Sequence, residues 1–459
     1  MDDYRRLADR IADDIATGRL RPGERLPPQR AFARRRGIAG STAGRVYGEL
    51  VRRGLVVGEV GRGTFVRAAA HEPGGRALAE PALGSMATRG DKAVNLELNY
   101  PSAPGQSELL APALAPLLRP DVLTEALRPA PATGTAEARA AVAGLLATPG
   151  WRPDPDGVLF AGNARQAIAA SLASLVRPGG RVGVETLTYP LVKEIAVRLG
   201  ITLVPLAMDR DGLRPDALTA AHRTAPLSAL YVQPTLHNPT SVTTGEQRKR
   251  ELAGVIRELG VPVVEDRIWS FLTDAAGTTT SGEPLAAHVP ELAHVVDGLS
   301  KRVAPGLTVG FLVVPPDRAE AVAAAVRSGG WNAGRFALEA GVRWVEDGTV
   351  ARLVAAKRLD AARRQRLLAR ELAEFGGAVR SDPYAYYAWW ELPASWRADT
   401  FTAAAAVHGI AVTPGGAFAV GPQRAPDAVR LGLASAPEAD LERALRTLAA
   451  IARRGRSGR

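Results

Sequence analysis

Lysine is rare in this chain: Lys92, Lys193, Lys249, Lys301 and Lys357 are its five copies among 58 basic residues. An amine kept out of water is a nucleophile toward carbonyl carbon, so the setting of each lysine matters. Lys301 comes just after an apolar run at 294–296. Lys193, Lys249 and Lys357 are expected on polar helical faces, and Lys92 in a stretch without periodicity. Other polar groups follow apolar runs in the same way. They are Asn238 after Ala229–Val232, Asp266 after 261–264, and the turn Gly162-Asn163-Ala164-Arg165 after 157–160. In an open parallel sheet, such strand ends converge on one ligand. An amine, a carboxylate, an amide and a helix-opening turn together suit pyridoxal phosphate. The amine joins its aldehyde as a Schiff base. The carboxylate keeps the pyridine nitrogen protonated, so that the ring can draw electrons. The amide donates to the phenolic oxygen, and the first N–H groups of the helix hold the phosphate.

The elements that must place these groups are legible as alternating apolar and amphipathic runs. Strands are expected at 157–160, 181–184, 203–206, 229–232, 261–264, 294–296 and 311–314, with helical stretches between most of them. That alternation predicts an α/β domain around a mainly parallel sheet. From about residue 351 a long helix and shorter mixed elements predict a small C-terminal subdomain. Residues 68–92 are rich in Ala, Gly, Pro and Ser and are read as a linker.

Composition narrows the class. No run approaches the roughly 18 apolar residues of a membrane span, and the charged N-terminus is unlike a signal peptide. A cytoplasmic protein is expected. With no cysteine there is no disulfide, thiolate metal site or cysteine nucleophile, and no metal centre is expected. The net charge of +11 is uneven, because residues 1–67 hold 15 arginines against 8 acidic residues, a net of +7. A compact basic piece on a nearly balanced chain points to a polyanion partner.

That basic piece, residues 1–67, reads as three helices and a hairpin. Leu7, Ile11 and Ile15 form one stripe, closed by Gly18. A turn at 21–24 leads to a short second helix with Pro28 in its first turn, ending near Gly37. Ser41 or Thr42 is expected to cap a third helix that buries Val46, Tyr47 and Leu50. Strand-like runs then flank Gly61-Arg62-Gly63. This is the order of a winged helix-turn-helix, whose last helix enters the major groove of double-stranded DNA by its N-terminus. Ser41, Thr42 and Arg45 are the candidates for base edges, Arg30 and Arg34 for phosphates, and Arg62 for the wing tip.

The stretches GRLRPGERLPPQRAFA, STAGRVYGELVRRGLV and GRGTFV resemble the GntR family. From about residue 134 to 315 the chain resembles the fold-type-I aminotransferases, and the fusion resembles the MocR subgroup. The resemblance implies a winged helix-turn-helix at 1–67, a linker at 68–92 and a pyridoxal-phosphate-binding domain at 93–459, assembled as a homodimer. It also implies roles. Tyr189 in ETLTYP stacks near the cofactor ring, and Asn238 in PTLHNPTS meets the ring oxygen. Asp266 in VVEDRIW pairs with the ring nitrogen, and Lys301 in LSKRVAPGLTVGF forms the Schiff base. Arg430 in AVRLGLA holds an effector carboxylate.

Several positions depart from that pattern. Ala39-Gly40 replaces a usual Ser-Arg pair, Gly298 a phosphate-binding serine, Thr308 a phosphate-binding arginine, and Trp269 a tyrosine. A tyrosine expected before Gly134 has no match. Arg165 stands where Gln is common and is expected to supply phosphate charge in compensation, beside the N–H of Ala164. Eroded acid–base and phosphate groups suit a transcription regulator that senses pyridoxal phosphate, an amine or an amino acid. A working aminotransferase with a DNA-binding appendage, and a regulator that has lost the cofactor, remain as alternatives.

Overall fold

The computed structural model describes residues 3–16, 19–20, 24–59, 63–66, 93–273 and 282–454. The linker at 68–92, the Gly18 stop and Arg62 at the wing tip lie outside the described residues.

The head comprises α1 (Asp3–Ala16), α2 (Gln29–Arg36), α3 (Gly40–Arg52), β1 (Val56–Glu59) and β2 (Gly63–Val66), the two strands antiparallel. Its apolar stripes close on a core of their own that includes Ala8, Ile11, Phe32, Val46 and Leu50. The edge of the Phe32 ring meets Tyr47 at 5.4 Å between centroids. Two expectations are corrected here. Pro28 is the N-cap of α2 rather than a first-turn residue. Neither Ser41 nor Thr42 caps α3, because Ala39 stands at the cap without a side-chain bond and places both inside the first turn. The 24–26 segment, expected as turn and approach, also pairs with β2: Leu26 N–H donates to Thr64 O at 2.8 Å, and Val66 N–H to Glu24 O at 2.9 Å.

The large domain is an α/β fold around seven strands: β4 (Val158–Ala161), β5 (Arg181–Glu185), β6 (Thr202–Leu206), β7 (Ala229–Val232), β8 (Val263–Asp266), β9 (Ala293–Gly298) and β10 (Gly310–Val313), with β3 (Val94–Asn95) outside this sheet. They lie in the order β4-β10-β9-β8-β7-β5-β6, and only β10 runs against the rest. Most of these strands are buried end to end, which is why they read as unbroken apolar runs rather than alternating ones. A four-stranded antiparallel sheet with its own core forms the C-terminal subdomain, joined to the large sheet by a helix at Thr349–Glu371. Strand β3 pairs in parallel with Ile410–Ala411, so the start of this domain is built into its C-terminal part.

Candidate functional site

Parallel strands direct their carboxyl ends to one edge, and there a cavity of about 360 Å³ opens. It is lined by Ala164, Arg165, Tyr189, Asn238, Asp266, Lys301 and Arg430, among others. The seven residues proposed from sequence for cofactor and effector therefore share one enclosure. Each arrives by a short path. Asn163 follows β4 and caps the helix Ala164–Leu175 (α4), its side chain accepting from Gln166 N–H at 3.0 Å. Asp266 is the last residue of β8 rather than one beyond it. Lys301 sits in a single helical turn, Leu299–Arg302 (α5), that continues directly from β9.

The Lys301 ammonium donates to Asn99 O at 2.7 Å and lies 4.2 Å from the Tyr100 ring centre and 5.2 Å from that of Trp269. Burial pulls its pKa down to about 7, assisted by the positive charges of Arg430, Arg165 and Lys357. An amine so placed is partly neutral near pH 7, which is the state that attacks a carbonyl. The polar-face assignment of the other lysines is corrected. Lys249 and Lys357 are fully buried, with the first donating to Glu283 O and the second to three carbonyls beside Lys301. Lys193 donates to the carbonyls of Ala417 and Ala419.

The Asp266 carboxylate accepts from Tyr231 Oη at 2.7 Å, Gln233 Nε2 at 2.8 Å and Ile268 N–H at 3.0 Å. Burial nevertheless raises its pKa to about 6, against the opposing pull of those donors. Gln233 also turns its Oε1 to Asn238 N–H at 3.3 Å. Asn238 Oδ1 and Thr308 Oγ1 are buried at the cavity without hydrogen-bond partners among the described residues. Buried polar atoms of that kind call for a polar ligand. Gly298 has a steric reason. A Cβ there would stand 2.8 Å from Val309 O, so the strand pairing leaves no room for the usual serine. Trp269 packs edge-on to Tyr387 at 5.5 Å.

Arg430, on the strand Ala428–Gly432, is 8% exposed. Its Nη2 donates to Glu97 O and, at 3.3 Å, to Thr413 Oγ1, while its buried Nε makes no hydrogen bond among the described residues. Burial lowers its pKa to about 10. A guanidinium with a donor left unpaired among the described residues suits a carboxylate.

Sequence reasoning missed the 97–100 segment, which brings Glu97 O to Arg430 and Asn99 O and the Tyr100 ring to Lys301. It also missed Tyr231 and Gln233. Gln233 directly follows β7, so the strand-end rule that selected Asn238 could have found it. Tyr231 lies within an apolar strand, and only the fold shows its hydroxyl turned to Asp266.

In the head, Arg30 is the second residue of α2, and Ser41, Thr42 and Arg45 lie along the first turns of α3. Arg30, Arg34, Ser41 and Arg45 are exposed and Thr42 is half-buried. The opposite side of α3 carries the buried Val46, Tyr47 and Leu50.

The chain belongs to the aminotransferase class I and II family, which matches residues 123–448, and its residues 3–66 match the bacterial regulatory proteins of the gntR family. That fusion is the MocR-like arrangement. Among its relatives, the uncharacterized HTH-type transcriptional regulator YdeF of Bacillus subtilis (strain 168) is 28% identical over 92% of this chain and 88% of its own. The HTH-type transcriptional regulator TauR of Rhodobacter capsulatus is 26% identical over 70% of this chain and 69% of its own. Among solved structures, an archaeal alanine:glyoxylate aminotransferase superposes with a TM-score of 0.73 at 18% identity, over 81% of this chain and 93% of that one. LysN, the alpha-aminoadipate aminotransferase of Thermus thermophilus, gives 0.69 at 23%, over 80% and 94%. These structural likenesses establish the fold. No helix among the described residues is long and apolar enough to cross a membrane.

Proposed function

We propose that this protein is a cytoplasmic, homodimeric transcription regulator that binds double-stranded DNA through residues 1–67 and holds pyridoxal phosphate in residues 93–459, with 68–92 between them as linker. The observation that carries this reading is the single cavity in which Lys301, Asp266, Asn238 and the start of α4 meet, in a chain with a gntR-type head. When bound, the cofactor supplies an aldehyde and an electron-drawing ring. Lys301 is the amine that captures it, and the Asp266 carboxylate balances a protonated ring nitrogen. Asn238 faces the ring oxygen, and Tyr189 covers the ring. Ala164 N–H and Arg165, at the positive end of a twelve-residue helix, hold the phosphate, which offsets what Gly298 and Thr308 do not provide. Arg430 takes the carboxylate of an amino-acid effector whose amine competes with Lys301. Arg30 anchors to phosphate, Ser41, Thr42 and Arg45 face base edges, and Arg62 reaches from the wing.

The reduced set of phosphate and hydroxyl groups supports sensing over rapid turnover. An effector acts on the head only by binding one arrangement of the protein better than another. The test pairs two titrations of the full-length protein. After removal of free pyridoxal phosphate, a protein-bound imine absorbance band is expected in the wild type and none in Lys301→Ala. Adding candidate amino acids is expected to change both that band and DNA affinity. A band that responds while DNA affinity stays fixed for every effector, with multiple turnovers on a keto acid, would favour an enzyme instead.

A further inference from the structure

Lys357 is fully buried where its sequence setting predicts solvent. It lies on the helix Thr349–Glu371 (α6), and its Nζ donates to the carbonyls of Lys301 at 3.0 Å, Arg302 at 3.0 Å and Val303 at 2.7 Å. These are the carbonyls at the end of α5, the turn that carries Lys301. A lysine ammonium has three donors, and here all three are used. Burial pulls Lys357 down to about 7, while three carbonyl acceptors favour the charged form. An apolar side chain at this place would avoid burying a charge, but it would leave the three carbonyls without this donor.

The charged groups felt at Lys301 are Arg430, Arg165 and Lys357. Lys301 also meets the Asn99 carbonyl and the Tyr100 and Trp269 rings, which are neutral. Around Lys357, Arg302 is taken up by Asp297. Asp360 is taken up by Arg363 and Arg364. Tyr386 donates its hydroxyl to Lys357 O and Asp360. The Lys357 Nζ meets carbonyl oxygens rather than a carboxylate, so in its charged form it acts on Lys301 unneutralised, as the smallest of the three positive charges felt there.

We propose that Lys357 is a positioning residue for Lys301: its three hydrogen bonds fix the turn that carries the reactive amine, and in its charged form it disfavours charge on that amine. A second cation near a lysine is a recognised way to activate it. This inference rests on the reading that Lys301 is the reactive amine, but it can be tested without cofactor. The test is competitive acetylation of the full-length protein with acetic anhydride over a series of pH values, with the Lys301 peptide quantified by mass spectrometry.

The wild-type midpoint is expected near pH 7. In Lys357→Met and Lys357→Gln it is expected to rise by up to about one pH unit, so that labelling at pH 7 slows by up to roughly fivefold. Lys357→Arg, which is charged throughout the series, is expected not to rise above the wild type. Gln retains an amide that can donate to the carbonyls, so it separates charge from tethering and carries the test if the Met variant does not fold. Unmoved midpoints in folded neutral variants, or an equal rise in the Arg variant, overturn the proposal. Borohydride trapping of added pyridoxal phosphate on the same samples is a separate readout. Its failure in the wild type, with the acetylation shift intact, would remove the cofactor reading and leave the role of Lys357 standing.

Discussion

Three neutral donors, from Tyr231, Gln233 and Ile268, reach the Asp266 carboxylate, and no arginine or lysine pairs with it among the described residues. Burial prevails and raises its pKa from 3.8 to about 6. The folded state therefore binds this proton more tightly than the unfolded state does. Ionised Asp266 opposes folding progressively as pH rises from about 4 to about 6, and in full above that window. Two pH units correspond to about 3 kcal/mol. A protonated ring nitrogen set against this carboxylate would relieve the penalty, so part of the cofactor's affinity is stored as instability of the cofactor-free fold. Asp266→Asn is thus expected to raise the melting temperature of cofactor-free protein by a few degrees near pH 8. It should have little effect near pH 4 and should weaken pyridoxal phosphate binding at least tenfold. Thermal melts at the two pH values check this. A variant less stable than wild type at both contradicts it.

The pairing of β9 with β10, which sets Gly298 opposite Gly310, decides what can stand at residue 298, just before the turn that carries Lys301. Restoring the usual serine by Gly298→Ser drives a Cβ against Val309 O. It is expected to destabilise the fold by about 1–3 kcal/mol without tightening cofactor binding. A serine variant that melts like wild type and binds more tightly would show that the strands part easily. Much of the element level was legible in the sequence. All seven strands of the large sheet were, because strands covered on both faces leave unbroken apolar runs, and their ends then indicated Lys301, Asp266 and Asn238. What stayed hidden depends on tertiary contacts. Lys249 and Lys357 look like solvated helix residues until carbonyls from other elements close on them. The 94–100 segment carries no periodicity to reveal that it reaches Lys301 and Arg430 through main-chain oxygens. The cap of α3 failed by two or three residues, since Ala39 has the extended backbone of a cap with no side chain to complete it.

For the molecule as a whole, charge and chemistry are divided between its two ends. The first 67 residues carry +7 of the total +11, whereas the large domain concentrates its amine, carboxylate and guanidinium in one cavity. DNA binding is expected to weaken steeply with salt as condensed counterions are released. Arg30→Ala should lower the slope of log affinity against log salt by roughly one, with similar losses on all sequences, and fluorescence anisotropy over a salt series checks it. The proposed coupling between the ends rests on a ligand that reacts with Lys301 in the large domain. Full-length protein incubated with pyridoxal phosphate, reduced with borohydride and digested for mass spectrometry should carry a phosphopyridoxyl group on the peptide containing Lys301, at close to one per chain. A tag on another lysine, or on none, would contradict it.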